Sequence, residues 1–336
     1  MFRNSAGKIR ILLALGGIAL IVVLIARVGP GAIAERFSGV GFEIVWVVVP
    51  YAIGTAIGAF PWVWLLPVAG RPGLGAAIKS RLAASGANAL LPFFALAGEP
   101  ARLLWLKTNV RAAGTAALVV DRIVYNCASA VFLLTGVVLA LTATDLPHSI
   151  ALVAALIGVS VLLVTIGLGV ATSRYGLGAR LEKFARQKLP LGKSPAAFGA
   201  EVDRTVRALF HGPRRPLLLG FLTHFVSRVV LGAEVFVALW VLDVPVTPQV
   251  AYVLATVHVA TAAVGSAIPG QLGVLEGGQA LVTAALGMDA SVGISLVLVG
   301  RLRQLVFAPL TVLLISTARA DDHAARRAPL TTENAQ

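Results

Sequence analysis

Runs of roughly 18 or more apolar residues, almost free of charge, recur along this chain and constrain its fold more than anything else in it. A helix needs about 20 such residues to cross the hydrocarbon layer of a bilayer. In lipid every backbone polar group must be satisfied within the segment, which favours helices. Composition points the same way: 58% of the residues are hydrophobic and 13% charged. Soluble domains are about half apolar and about a quarter charged. The expectation is an all-α integral membrane protein with no water-soluble catalytic domain.

The formal net charge is +13. Such an excess first suggests nucleic acid. The basic residues, however, sit between apolar runs on one side of the membrane, as the positive-inside rule requires, so no nucleic acid is expected. The single cysteine, Cys127, lies in an apolar run and excludes an intramolecular disulfide.

These charges thread the chain. Arg3, Lys8 and Arg10 precede a first apolar run, Ile11 to Ala26, read as a membrane helix with a cytoplasmic N-terminus. A cleaved signal peptide is the alternative, but its small-x-small site, Ala32-Ile33-Ala34, lies too far past the apolar run. A second helix spans Phe42 to Leu66, and Arg71, Lys79 and Arg81 place the following loop inside. Ala76 to Leu91 is then apolar but short, is broken at Pro92, and continues through Arg102 and Lys107. Neither piece alone can cross, so the segment predicts a re-entrant hairpin. Helices over Ala112–Leu141 and Ser149–Ala171 follow, joined by a loop without Lys or Arg.

Residues 172–215 form the most basic stretch, a cytoplasmic loop whose Leu177–Leu189 portion could lie on anionic lipid headgroups. A solvated loop that only sets orientation is the plainer alternative. A fifth helix covers Pro216 to Val241. Ala251 to Ile268 breaks at Pro269-Gly270 and resumes over Gly273 to Leu286, predicting a second re-entrant hairpin. The last helix is Ser291 to Ser316, and Arg319, Arg326 and Arg327 leave the C-terminus cytoplasmic. The result is one polytopic domain over 1–320 in the inner membrane, with six spanning helices and two hairpins, and a cytoplasmic tail over 321–336 expected to be disordered. An eight-pass count in which both hairpins cross has the same terminal sides.

The two broken segments resemble each other. Pro92 and Pro269 are each followed seven positions later by a glutamate, Glu99 and Glu276, and each break is flanked by spanning helices. An arginine lies in each following helix, Arg122 and Arg301. Three crossings separate the start of unit one (42–141) from unit two (216–316). An odd number inverts the second unit, and inverted repeats with broken helices mark transporter sites near the midplane.

Charge inside the bilayer is costly and usually faces a cavity or a partner. Glu99 and Glu276 are candidates on that ground, although each could instead cap a helix N-terminus. Asn88, one turn before Pro92, could satisfy backbone groups that the break frees. Asp121 and Arg122 point about 100° apart, so each needs a partner from elsewhere in the bundle. His224 and Arg228 share one helix face, which Glu234 does not. Arg301 and Arg303 point in nearly opposite directions, so at most one is expected to face a shared cavity comfortably. Simple structural pairing among these groups is the plain alternative to a binding role. A site lined with Arg and Glu would suit a phosphate headgroup. Gly54 and Gly58 form a small-xxx-small pair expected to pack helices closely.

No zinc signature stands out. Gly192-Lys193-Ser194 resembles the end of a P-loop but has Gln187 where the motif has glycine, and no strand precedes it. No cofactor or ATP hydrolysis is expected, so transport would run downhill or on an ion gradient.

Asn88-Ala89-Leu90-Leu91-Pro92 followed by Gly98-Glu99-Pro100-Ala101-Arg102 resembles the N-x-x-x-P…G-E-x-x-R signature of the lysylphosphatidylglycerol synthase transmembrane region, or flippase-like, family. Pro269-Gly270-Gln271-Leu272-Gly273-Val274-Leu275-Glu276 is similar to that family's P-G-G-L-G-x-x-E segment. Arg301 matches its late arginine, and Asp121-Arg122 its acidic–arginine pair. Gln271 departs from the usual glycine. The resemblance covers nearly the whole chain and implies lipid translocation without the aminoacyl-transfer domain of some members. Within the family, Arg81, Asn88, Pro92, Gly98-Glu99 and Arg301-Leu302-Arg303 are similar to the hopanoid-cluster subgroup. A lipid transporter is therefore expected, using Asn88, Pro92, Glu99, Arg102, Asp121, Arg122, Arg228, Pro269, Glu276 and Arg301. A membrane-embedded lipid-modifying transferase and a scaffold for lipid-modifying enzymes are the alternatives.

Overall fold

The computed structural model describes residues 30–38, 40–90, 98–176 and 195–327. The expected first helix, Ile11–Ala26, the break at Pro92, the amphipathic portion Leu177–Leu189 and most of the polar tail lie outside the described residues. Every regular element described is helical. In chain order the α-helices are α1 (Pro30–Ser38), α2 (Val48–Ile57), α3 (Phe60–Trp64), α4 (Leu74–Leu90), α5 (Arg111–Ala143), α6 (His148–Tyr175), α7 (Pro195–His211), α8 (Arg215–Val241), α9 (Pro248–Val264), α10 (Val274–Ala285) and α11 (Ala290–Arg327).

Among the described residues five helical stretches are long and apolar enough to cross a membrane: Phe42–Trp64, Thr108–Ala143, His148–Tyr175, Arg215–Val241 and Ala290–Asp321. Their outward faces match that environment. α6 turns Leu152, Leu156, Val159, Leu163 and Ile166 outward. Its buried stripe recurs every seventh residue as Ala151, Gly158, Thr165 and Thr172. Small residues at that spacing let α6 lie close against α5, where a Cβ on Gly158 would meet the Leu134 side chain at 3.0 Å. A contiguous apolar outer face of this size needs lipid or a partner to cover it.

Three segments differ from expectation. Phe42–Leu66 is not one straight helix. A 3-10 turn (Phe42–Val47) leads into α2, and the chain breaks at Gly58-Ala59 before α3. Pro61 has no N–H to give the Ile57 carbonyl, so the helix cannot continue through that turn. The second arm of the first broken segment is also not an α-helix. It is a 3-10 segment, Glu99–Trp105, followed by Thr108–Val110. Finally, 172–215 is not a loop throughout: α6 runs to Tyr175, and α7 buries Phe198, Val202 and Val206. Spaced four apart, those three form one apolar face, and they join the cluster of Trp62, Leu103, Leu106 and Val120.

Paired residues give the relative directions of the central helices. A Cβ on Gly54 would meet Leu231, one on Gly58 would meet Ser227, and one on Gly220 would meet Pro61. The α2–α3 segment therefore runs antiparallel to α8, and Ser227 Oγ seals the contact by donating to the Gly54 carbonyl at 2.8 Å. The small-xxx-small pair does the packing its spacing predicts. Asp121 meets His224 and Ser129 meets Arg228, so α5 and α8 run parallel. α9 begins at Pro248, capped by the Thr247 side chain, and packs on α5 and α8. α11 closes the bundle against α4 and α10.

Candidate functional site

Inside the bundle lies a cavity of about 410 Å³. Helices on both sides of the basic stretch wall it: Tyr51, Arg81, Asn88 and Tyr125 from the first half, and Arg228, Glu234, His258, Gln271, Arg301 and Arg303 from the second. It sits where the two broken segments approach each other.

On the first side the residues flanking the break are tied together. Asn88 Oδ1 accepts the Gly98 N–H at 2.7 Å, so the side chain does satisfy a backbone group beyond the break. A Cβ at Gly98 would overlap the Ala84 carbonyl, which explains the glycine. Glu99 does not cap a helix with its side chain. It accepts from Arg81 at 3.2 Å and from Arg102 at 3.2 Å. Arg102 is fully buried, lies over the Trp62 ring at 4.4 Å, and also donates to Asp121 at 3.2 Å. Asp121 in turn meets His224 Nε2 at 2.9 Å. Glu99, Arg102, Asp121 and His224 thus form one buried chain of charge-assisted contacts. Burying such groups is tolerable only because each is paired.

The second side uses the same residue types differently. The chain turns through left-handed backbone at Gly270 (φ 63°), Gln271 (φ 54°) and Gly273 (φ 76°). Gln271, where the resemblance expects glycine, adopts the strained φ anyway, and its side-chain amide donates to the Ala262 carbonyl at 3.3 Å. Glu276 then does two jobs. Its Oε2 accepts the Gly273 N–H at 2.8 Å, capping α10, while its Oε1 accepts from Arg301 Nε at 2.8 Å and Nη2 at 2.6 Å. Arg301 also reaches the Gly270 carbonyl at 3.4 Å and so pins the break itself. Pro269 begins the 3-10 turn of this break.

Between the two sides stands Tyr125. Arg228 donates to its hydroxyl and, through Nε, to Ser129 Oγ at 3.0 Å. Arg228, Arg122 and Arg81 lie 4.6, 4.9 and 5.7 Å from the Tyr125 ring centroid. Arg303 stacks on Tyr51 at 3.8 Å and pairs with Glu234.

The sequence expectations sort accordingly. Asn88, Glu99, Arg102 and Asp121 come together, as do Glu276 and Arg301, while Arg228 joins Arg122 at Tyr125. Arg122 is not the counterpart of Arg301, because it stacks on Tyr125 rather than pairing with Glu99. Arg301 and Arg303 both line the cavity, against the expectation that at most one would. Their long side chains bend to partners on different helices, Glu276 and Glu234. Arg81 is not a loop charge. It lies within α4, with a side chain only 13% exposed. Arg81 and Asn88 are seven residues apart on one helix face, a signal available in the sequence. Trp62, Tyr51 and Ser129 lie inside apolar runs and carry no sequence signal for a site.

These features define a polytopic helical membrane protein with a charged internal cavity between two broken helical segments. Residues 9–311 match the family described as the lysylphosphatidylglycerol synthase TM region, and the chain belongs to that family. It is thereby tied to lipid handling at a membrane. No curated protein and no solved structure matches the chain.

Proposed function

We propose that this protein is a lipid transporter that moves a polar-headed or phosphate-headed lipid, or a hopanoid, between leaflets of the inner membrane. The observation that carries this reading is the cavity of about 410 Å³ walled by Arg81, Arg228, Arg301 and Arg303 inside a bundle whose outer faces are apolar. Intramembrane charge marks ligand pathways when it faces a cavity, and here four guanidinium-bearing side chains do so. In this reading six helices span and the two broken segments are re-entrant, with both termini cytoplasmic. The antiparallel packing of α2–α3 on α8 supports an inverted repeat, since these are the first helices of the two units. Arg204 and Arg207 on α7 would face anionic headgroups of the cytoplasmic leaflet. The protein's residues bind and orient the headgroup while the acyl chains stay in lipid. Rocking of one unit against the other exposes the site to each leaflet in turn.

The test is lipid flip-flop in sealed vesicles at matched amounts of monodisperse protein, comparing wild type, Glu99→Gln and Glu276→Gln. Wild type should flip a labelled phospholipid or hopanoid well above empty vesicles, and both variants should lose most of that activity. Wild-type flipping no faster than protein-free vesicles across both lipid classes would overturn the proposal. Covalently altered lipid in cells expressing the protein would favour a transferase instead.

A further inference from the structure

The ionic pairing around the cavity leaves a remainder. Each of the four carboxylates has an arginine: Glu99 has Arg81 and Arg102, Asp121 has Arg102, Glu276 has Arg301, and Glu234 has Arg303. Six arginines surround these four groups. The two that pair with no carboxylate among the described residues are Arg122 and Arg228, and both lie against the same ring, Tyr125. The positive surplus is therefore local.

Its geometry suits an oxyanion. Arg228 and Arg81 both line the cavity and both lie within 6 Å of the Tyr125 centroid. Arg228 uses Nε and Nη2 for its protein contacts, with Ser129 and Tyr125. Arg81 holds Glu99 through Nη1 alone, and its Nε is buried with no partner. Arg122 does not line the cavity and adds its charge at the same ring, 4.9 Å from its centroid. The polar side chains of Ser85 and Asn88 complete this corner of the wall. Like charges gathered in a poorly solvated site repel unless an anion joins them, and arginine forks match phosphate oxygens.

We infer that the Arg81–Tyr125–Arg228 corner is a phosphate-binding subsite, and that it selects ligands of net negative charge over zwitterionic or cationic ones. Arg228 is its specificity residue. This rests on the transport reading in so far as the phosphate belongs to a lipid. A lysyl-esterified headgroup carries two ammonium groups beside its phosphate, so the surplus here works against it.

The experiment is equilibrium binding of a fluorescent short-chain phosphatidylglycerol to the full chain in neutral micelles, with unlabelled competitors. Phosphatidylglycerol should compete at about tenfold or more lower concentration than phosphatidylcholine or lysyl-phosphatidylglycerol, the effect of losing roughly one charge-assisted contact. Arg228→Gln should weaken binding by a similar factor and flatten the preference, while Arg228→Lys should keep part of it. Competition by inorganic phosphate alone assigns the corner to the free anion, and displacement by phospholipid only assigns it to a headgroup. Either result supports a phosphate subsite. Equal competition by all three lipids on the wild type, which needs no variant to fold, overturns the inference. So does a monodisperse Arg228→Gln protein that binds like wild type. Flipping without charge preference would refute this subsite and leave transport standing, whereas selective binding without flipping would do the reverse.

Discussion

Replacing Glu276 with glutamine removes one charge and almost no volume, so its cost isolates what the carboxylate does. Glu276 is 1% exposed and serves Arg301 with one oxygen and the Gly273 N–H with the other. A glutamine has one acceptor oxygen. If that oxygen stays with Arg301, its NH₂ faces the Gly273 N–H, donor against donor, and the cap is lost at about 1 kcal/mol. The bond to Arg301 also falls from the charged class, about 1.5–3 kcal/mol, toward the neutral one, about 0.5–1.5 kcal/mol. Together these come to about 2–3 kcal/mol. The figure lies below the roughly 3–5 kcal/mol of a fully buried broken pair because the Arg301 side chain is 27% exposed and can recruit water. Equilibrium unfolding in mixed micelles, by titration with a denaturing detergent, measures it. Arg301→Gln and the double variant complete a cycle, and the double should be less destabilised than the sum of the singles by about 1 kcal/mol or more. Additivity within about 0.5 kcal/mol would show that the two side chains do not act as a pair, and the argument would fail.

Gly273→Ala should destabilise by roughly 1–3 kcal/mol, because φ of 76° with ψ of −31° lies outside the backbone regions open to alanine. The same titration checks it, and a stability equal to wild type would mean the turn is not built this way. Asp121→Asn should cost about 3–5 kcal/mol, since fully buried Arg102 and buried His224 lose their shared anion. Arg102→Gln in that background should restore part of the loss, and a double variant worse than Asp121→Asn would contradict the assignment.

The helices were legible wherever they exceed the bilayer's length and stand in apolar sequence, as α5, α6 and α8 do. The break at Pro269-Gly270 was legible because proline and glycine both interrupt helices. What escaped were conformations that sequence period cannot separate. Glu99–Trp105 has the composition of a helical arm, yet it forms a 3-10 segment in which Glu99 and Arg102, three residues apart, pair with each other. Arg81 looked like a positive-inside charge because three basic residues cluster within eleven positions, Arg71 to Arg81, and only tertiary packing turns the last one inward. The glutamates stood out by their spacing from the prolines, and both take arginine partners. Their different partners did not stand out, because pairing depends on which neighbouring helix lies within reach.

The location of the positive surplus follows from chain direction. Asp121, Tyr125 and Ser129 recur every four residues along one face of α5, and His224 and Arg228 do so along α8. Because one returning helix, α6, reverses the chain between them, α5 and α8 run parallel in space. That register brings the neutral-capable imidazole to the carboxylate and the guanidinium to the phenol. In an antiparallel pairing of the same faces, Arg228 would meet Asp121 and be neutralised, and His224 would meet Tyr125 or Ser129. The cavity wall would then hold no guanidinium free of a carboxylate at Tyr125. The arrangement of crossings, and not the residue content of either helix alone, therefore leaves Arg228 available to an anion.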